Sequence, residues 1–354
     1  MSLANDKAEL LDRDTFREGV LDRDGHKCVI CGASGRLDSH HILERRLWDD
    51  GGYYLINGAT LCDEKEGDIG CHMKAEQTVL SCDEIRRAAG ITEILIPDHL
   101  YRDYEYDKWG NIINADGTRT KGELFGDESV RKVLTAGGVM PLFRDRVKYP
   151  RTYHLPWSPG LTDDDRMLPS TKVFEGREVV MTEKMDGENT TMYHDYIHAR
   201  SLDSATHPSR GWVKNLHATI CHDITPGWRI VGENLFAKHS LPYNDLPSYF
   251  MMFSIWDENN LCLSWDDTVV YAGVLGLELV PVLYRGLWDE NTIRSLEQSL
   301  DLTAKEGYVV RLASSFQYGA FRRSVAKFVR AAHVGSSHNW MQKAVVKNGL
   351  KISP

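Results

Sequence analysis

Apolar runs of strand length recur through the second half of the chain: EVVMTEKM (178–185), GWRIVGENLF (227–236), YFMMFSIWD (249–257), VPVLYR (280–285), GYVVRLA (307–313) and SVAKFVR (324–330). Their length and their β-branched and aromatic content predict strands. Between some of them apolar positions recur at helical spacing, near 211–223, 266–277 and 289–300, and a shorter helical piece falls near 127–136. Several antiparallel strands with inserted helices predict an α+β fold for residues 150–354. Two stretches break the pattern. Residues 106–128 are crowded with turn formers, and 148–165 hold three prolines within ten positions, so both read as connections. The chain then divides into an N-terminal module (1–105), a connecting segment (106–165) and a larger domain (166–354).

Composition refines this picture. A chain of 354 residues with 42% apolar content is too long for one core. No apolar run approaches the roughly 18 residues of a membrane span, and the start MSLANDKAELLDRD lacks a signal-peptide pattern. The expectation is a cytoplasmic protein with no membrane partner. Seven cysteines is an odd number, and Cys28, Cys31, Cys62 and Cys71 cluster in a way that suits metal ligation better than a disulfide framework. Cys82, Cys221 and Cys262 read as small buried side chains. The whole net charge of -9 falls within residues 1–125, whereas residues 321–354 carry seven basic residues and no acidic one. A polyanion would meet that end first, with Arg322, Arg323, Arg330, Lys343 and Lys347 as candidate phosphate contacts.

The stretch VVMTEKMDGENTTMY (179–193) puts Lys184, Asp186 and Glu188 within five positions of what otherwise reads as two strands joined by a turn. In the plainest reading Lys184 faces solvent and Asp186-Gly187 is a hairpin turn. Other segments shift the balance. GEN recurs at 232–234 at the end of an apolar strand, and KEGYVVR (305–311) sets Glu306 at the start of another. Charged groups at strand ends converging on one lysine would make a phosphate and metal site.

This ordered set (EKMDGE at 183–188, ARS at 199–201, GENLF at 232–236, FSIWD at 253–257, EGYVVR at 306–311 and AKFVR at 326–330) resembles the ATP-dependent RNA ligases of the covalent nucleotidyltransferase superfamily over about residues 148–340. The resemblance implies that Lys184 is the nucleophile that becomes adenylylated, within a motif shared with Asp186 and Gly187. It places Asp186 and Glu233 at the ribose, Phe253 on the adenine, Arg200 at phosphate of the acceptor end, Glu306 at a metal and Lys327 at the α-phosphate. ATP and Mg²⁺ or Mn²⁺ are the implied cofactors, and RNA ends or nicks the implied partner. In the last motif the family often has two lysines one residue apart, where this chain has Val325 and Lys327; Arg330 is a candidate for the missing cation. An amine attacks phosphorus only when neutral, so the Lys184 pKa is expected to fall from about 10.4 toward roughly 7–8.

CVIC (28–31), LDSHHI (37–42), NGATLC (57–62) and CHMKAE (71–76) together resemble a small ββα-metal module of the HNH nuclease type with an added four-cysteine zinc site. Cys28, Cys31, Cys62 and Cys71 would hold Zn²⁺, although eight residues separate the second pair where two is usual. The resemblance makes His41 the general base, Asn57 its orienting partner, and His40, His72 and Glu76 ligands of a divalent ion. Family members often carry a histidine where this chain has Glu76. The leading expectation is a ligase whose N-terminal module trims or positions ends. The alternatives are an HNH nuclease with a non-ligating nucleotide-binding domain, a zinc-stapled module without nuclease activity, and an RNA-binding protein, which would leave Lys184 unexplained.

Overall fold

A computed structural model describes residues 9–65, 68–160, 165–202, 207–331 and 345–351. The chain partitions into two units, Met1–Asp145 and Arg146–Pro354. Among the described residues no helix is long and apolar enough to cross a membrane.

In the first unit α1 (Arg13–Arg23) is capped by Asp12, whose carboxylate accepts from the Asp14 and Thr15 amides at 2.9 Å. Its buried residues, Phe16 and Val20, are four apart and so share a face. That face packs on Gly58, where a Cβ would collide with both side chains. Gly58 opens β2 (Gly58–Cys62), which pairs antiparallel with β1 (Leu37–His41), placing His41 opposite Gly58 and His40 opposite Ala59. A short ladder of β3 (Glu64–Lys65) and β4 (Asp68–Ile69) leads into α2 (Cys71–Glu76), followed by α3 (Cys82–Ala88) with a Ser81–Glu84 capping box.

Residues 106–128, expected to be a connection, instead carry β5 (Glu105–Tyr106), β6 (Ile112–Ile113) and β7 (Arg119–Thr120) in one antiparallel sheet. The turn formers are there because the strands are short and the turns tight. Buried Asp107 ties them together, accepting from the Trp109 and Asn111 amides and from the Arg119 guanidinium at 2.9–3.0 Å. Trp109 and Phe125 join Val130 and Leu134 of α4 (Glu128–Ala136) in a small core.

The second unit is built on two sheets. Its elements are β8 (Tyr153–His154), β9 (Glu178–Lys184), β10 (Glu188–Tyr193), β11 (Ile197–Ala199), α5 (Gly211–Ile220), β12 (Arg229–Asn234), β13 (Phe250–Trp256), β14 (Leu261–Cys262), α6 (Trp265–Leu275), β15 (Glu278–Leu279), β16 (Val282–Leu287), α7 (Glu290–Ser299), β17 (Gly307–Leu312), β18 (Phe316–Gln317) and β19 (Val325–Val329). One sheet runs β11-β10-β12-β13-β14-β18, with β15 beside β13; the other runs β16-β9-β17-β19-β8. The strands and helices expected from the apolar runs are in place, in a mixed α+β architecture.

Two expectations are corrected. Asp186-Gly187 is not a hairpin turn, because β9 and β10 belong to different sheets and residues 185–187 carry the chain from one to the other. The reason lies in β9 itself. Val179 and Met181 enter one core and Val180 another, so both faces are buried and the strand is central, flanked by β16 and β17. Gly187 allows the crossing, since a Cβ there would meet the Asn234 carbonyl oxygen at 2.5 Å. Cys221, unlike Cys82 and Cys262, is only half-buried.

Candidate active site

Lys184 ends β9 opposite Gly307 of β17. Glu306, one residue before that glycine, therefore reaches it: the Lys184 Nζ donates to Glu306 Oε2 at 2.5 Å, and the glutamate side chain is 3% exposed. Glu233 arrives from the other sheet, paired through β12 with Asn189 of β10, and accepts from the Gly187 amide at 3.2 Å. Lys184, Arg200, Glu233, Phe253 and Lys327 line one cleft between the two sheets of this unit. Five residues singled out in the sequence thus meet in one place, with Glu306 bonded to the lysine among them.

The charge balance differs from the expectation. Burial disfavours the Lys184 ammonium, but the Glu306 and Glu233 carboxylates outweigh it and hold its pKa above the ordinary lysine value. Burial pushes Glu233 up to about 8, against the pull of Lys184 and with Glu306 adding to the rise. The Lys184 pKa is therefore shifted opposite to the anticipated fall. Anions facing the amine have the wrong sign for it until a cation neutralises them.

Lys327 donates to Asp165 Oδ1 at 3.0 Å, and the same carboxylate oxygen lies 3.3 Å from Nε2 of His154, a fully buried ring whose Nδ1 meets Ser158 Oγ at 2.7 Å. Burial lowers the Lys327 pKa and Asp165 opposes that shift. Val325 is buried and offers no charge. Arg330 does not replace it, because its guanidinium donates to the Leu302 and Thr303 carbonyls at 2.6 and 3.1 Å. Arg151, Arg200 and Arg311 also line the cleft, and the Arg311 guanidinium donates to the Phe253 and Leu263 carbonyls.

Asp186, expected at the ribose, has its carboxylate bonded within the protein. Its Oδ2 accepts from the Ser240 and Leu241 amides, both at 2.8 Å, and from the Ser240 hydroxyl, while its own amide donates to Tyr243 Oη at 2.9 Å. Neither Asp186 nor Gly187 lines the cleft. The basic end is also largely engaged. The Arg322 guanidinium sits 4.8 Å from the Tyr153 ring, and the Lys347 ammonium lies over Tyr249 and Phe236 at 5.3 and 5.9 Å. Arg323 is half-buried, and Lys343 lies outside the described residues.

In the first unit the Sγ atoms of Cys28, Cys31, Cys62 and Cys71 all lie within 4.8 Å of one another. Cys31 and Cys62 are 3.6 Å apart, too far for a disulfide and close to the ~3.8 Å edge of a tetrahedron with ~2.3 Å metal–sulfur bonds. The Cys71 amide donates to Cys62 Sγ at 3.4 Å. The Ala33 amide lowers the Cys31 thiol to about 7, whereas burial pushes Cys62 and Cys71 up, so it is the geometry of the four sulfurs that fits a thiophilic ion.

His40, His72 and Glu76 form a second cluster. One oxygen, Glu76 Oε1, stands 3.4 Å from both His40 Nδ1 and His72 Nε2. Neither ring nitrogen of buried His40 has a hydrogen-bond partner among the described residues, an orphaned donor set that suits a cation. The other His72 nitrogen meets Asp63 at 3.2 Å. His41 lies in the same cavity with Arg13, Arg17, Arg45 and Lys108. Burial, with Lys108 adding, pushes His41 down to about 4 rather than leaving it near its usual value. Asn57 does not bond the imidazole: its amide accepts from the Leu43 amide and donates to the Leu43 and Gly52 carbonyls, pinning the loop after β1. The His41 ring is set instead by Phe16, stacked at 4.6 Å, and by Tyr53, edge-on at 5.1 Å.

Sequence reasoning missed Lys108, Asp165, His154 and the ion pair of Glu183 with Lys305. Glu183 and Lys305 were within reach, each adjoining a motif residue; the others lie in stretches read as connections.

Comparison with known proteins bears on the second unit. No curated protein sequence matches the chain. An archaeal ATP-dependent RNA ligase is similar at 17% identity and TM-score 0.38, over 52% of this chain and 48% of that one. A putative ATP-dependent DNA ligase from Aquifex aeolicus follows at 18% and 0.36, over 52% and 50%. A Naegleria gruberi RNA ligase with pyrophosphate is similar at 16% and 0.38, over 54% and 57%. The chain spans about half the length of these structures. Residues 177–329, which hold Lys184, Arg200, Glu233, Phe253, Glu306 and Lys327, match the model of the RNA ligase family.

Proposed function

We propose that the second unit is an ATP-dependent polynucleotide ligase acting on RNA, with Lys184 as its nucleophile. The observation that carries this is the Lys184 amine at a strand end, 2.5 Å from buried Glu306, in a cleft that also presents Glu233, Phe253 and Lys327. The Lys184 Nζ gives up a proton and attacks the α-phosphorus of ATP; a P–N bond forms, the bond to the bridging oxygen breaks, and pyrophosphate leaves. Glu233, lining the same cleft as the amine, takes that proton in its ionised form. Lys327, released from Asp165, and Arg200 bind phosphate oxygens, and Phe253 offers a face to the base. AMP then passes from the lysine to a 5′-phosphate, and a 3′-hydroxyl attacks that phosphate and expels AMP. Glu306 is the carboxylate that would hold Mg²⁺ or Mn²⁺, which would neutralise charge on the phosphates. Incubation with ATP and a divalent ion should add one AMP to the wild-type chain and none to Lys184→Ala.

A second activity is favoured by the His40, His72 and Glu76 cluster beside His41. We infer that this is a metal-dependent nuclease centre of the HNH type, with His41, neutral at pH 7, accepting a proton from the attacking water. Zn²⁺ on the four cysteines would tie the 28–31 turn to the start of α2 and contribute folding energy. His41→Ala should remove metal-dependent strand cleavage and leave zinc content and adenylylation unchanged. If the wild-type protein cuts neither DNA nor RNA with Mg²⁺, Mn²⁺ or Ni²⁺, the module is a zinc-stabilised platform and this reading falls.

A further inference from the structure

The turn between β5 and β6 delivers a lysine into the histidine–glutamate cluster. Lys108 follows Asp107, whose buried carboxylate holds the turn through Trp109, Asn111 and Arg119. The next residue grips α2 directly, because Trp109 Nε1 donates to the Glu76 carbonyl at 2.7 Å, and the lysine lies over the Trp109 ring with its Nζ 5.2 Å from the centroid. The ammonium is thus fixed from two sides, and its side chain is 5% exposed. It donates to the His41 carbonyl at 3.1 Å and pairs with Glu44 at 3.3 Å and with Glu76 Oε1 at 3.0 Å.

That last oxygen is the one 3.4 Å from both His40 Nδ1 and His72 Nε2. A divalent cation held by the three ligands needs its negative charge, and so does the lysine. Without the ion, Lys108 is the countercharge that keeps two largely buried carboxylates from facing each other unpaired. With the ion, two cations face one oxygen, and their repulsion in a poorly solvated pocket lowers the affinity.

We propose that Lys108 is a built-in competitor for Glu76: it holds the cluster in its ligand geometry when no ion is bound and keeps the affinity for divalent cations low enough for exchange. The inference rests on the reading of His40, His72 and Glu76 as a metal site. It assigns the 105–120 sheet a role in that site, and it makes Lys108 a positioning residue whose effect is read in binding.

The test is a Mn²⁺ titration of the full chain, followed by electron paramagnetic resonance, with Glu76→Gln identifying the site that depends on this cluster and zinc content reporting that the module is folded. Lys108→Met keeps most of the aliphatic stem and removes the charge; Lys108→Gln is the second variant. Both should tighten the Glu76-dependent Mn²⁺ binding by about tenfold or more while retaining zinc. Unchanged or weaker binding in a zinc-retaining variant would overturn the inference and leave the metal site standing. Loss of zinc from both variants would overturn it too, marking Lys108 as a structural countercharge. Absence of Glu76-dependent binding in wild type and variants alike would remove the metal site and the inference together.

Discussion

At the scale of single residues, the chemistry of the cleft turns on which partners each charged group has. Lys184, Glu233 and Glu306 were legible as a set because each sits at the end of an apolar run, where a charge has no packing reason to be. Their partners were not legible. Asp186 finds Ser240 and Leu241, more than fifty residues downstream, and nothing in its own neighbourhood predicts that loop. Asp186→Ala should therefore do more than weaken nucleotide binding. It leaves the half-buried Ser240 and buried Leu241 amides without that acceptor, at a cost of about 1–3 kcal/mol in urea unfolding, alongside a slower adenylylation. Lys327→Ala, which removes one end of a partly exposed ion pair, should slow adenylylation with little change in unfolding midpoint. Equal losses of stability in the two variants would contradict this division of roles.

At the scale of elements, strand and helix positions followed from apolar runs because most of those runs are buried on this fold, β16 at the sheet edge being the exposed exception. What the pattern could not say is which strands pair. EVVMTEKM and ENTTMY look like one hairpin, yet β9 and β10 lie in different sheets, and the cleft exists because they diverge. Gly187→Ala should force apart the close approach to Asn234 and Leu235, costing about 1–3 kcal/mol and lowering adenylylation with it. Likewise 106–128 read as a linker because short strands with tight turns share the composition of linkers. The segment at 345–351 is a third case. Its charge suggested a nucleic-acid contact, but Asn348 is buried against the loop that holds Asp186, accepting from the Tyr243 amide at 3.0 Å and donating to the Leu235 carbonyl at 2.8 Å. Asn348→Ala should cost about 1–3 kcal/mol and raise the ATP KM through Tyr243 and Asp186. A variant with wild-type stability and a wild-type ATP KM would show that the segment merely rests there.

At the scale of the whole molecule, the account assigns the two units separate chemistry and separate sources of stability. The first has a small core, so four thiolates within 4.8 Å of one another are expected to supply folding energy through an ion. Chelation of zinc, or Cys28→Ala, should unfold that unit, seen as loss of protease resistance over 9–145, while the second unit keeps its adenylylation. Loss of adenylylation on chelation, restored only by zinc, would contradict that independence. The central claim is tested most directly by intact-mass analysis after incubation with ATP and Mg²⁺ or Mn²⁺. The account predicts one AMP per chain, mapped to Lys184 by peptide analysis and absent from Lys184→Ala. An unmodified chain, AMP on another residue, or transfer of GMP alone would contradict it.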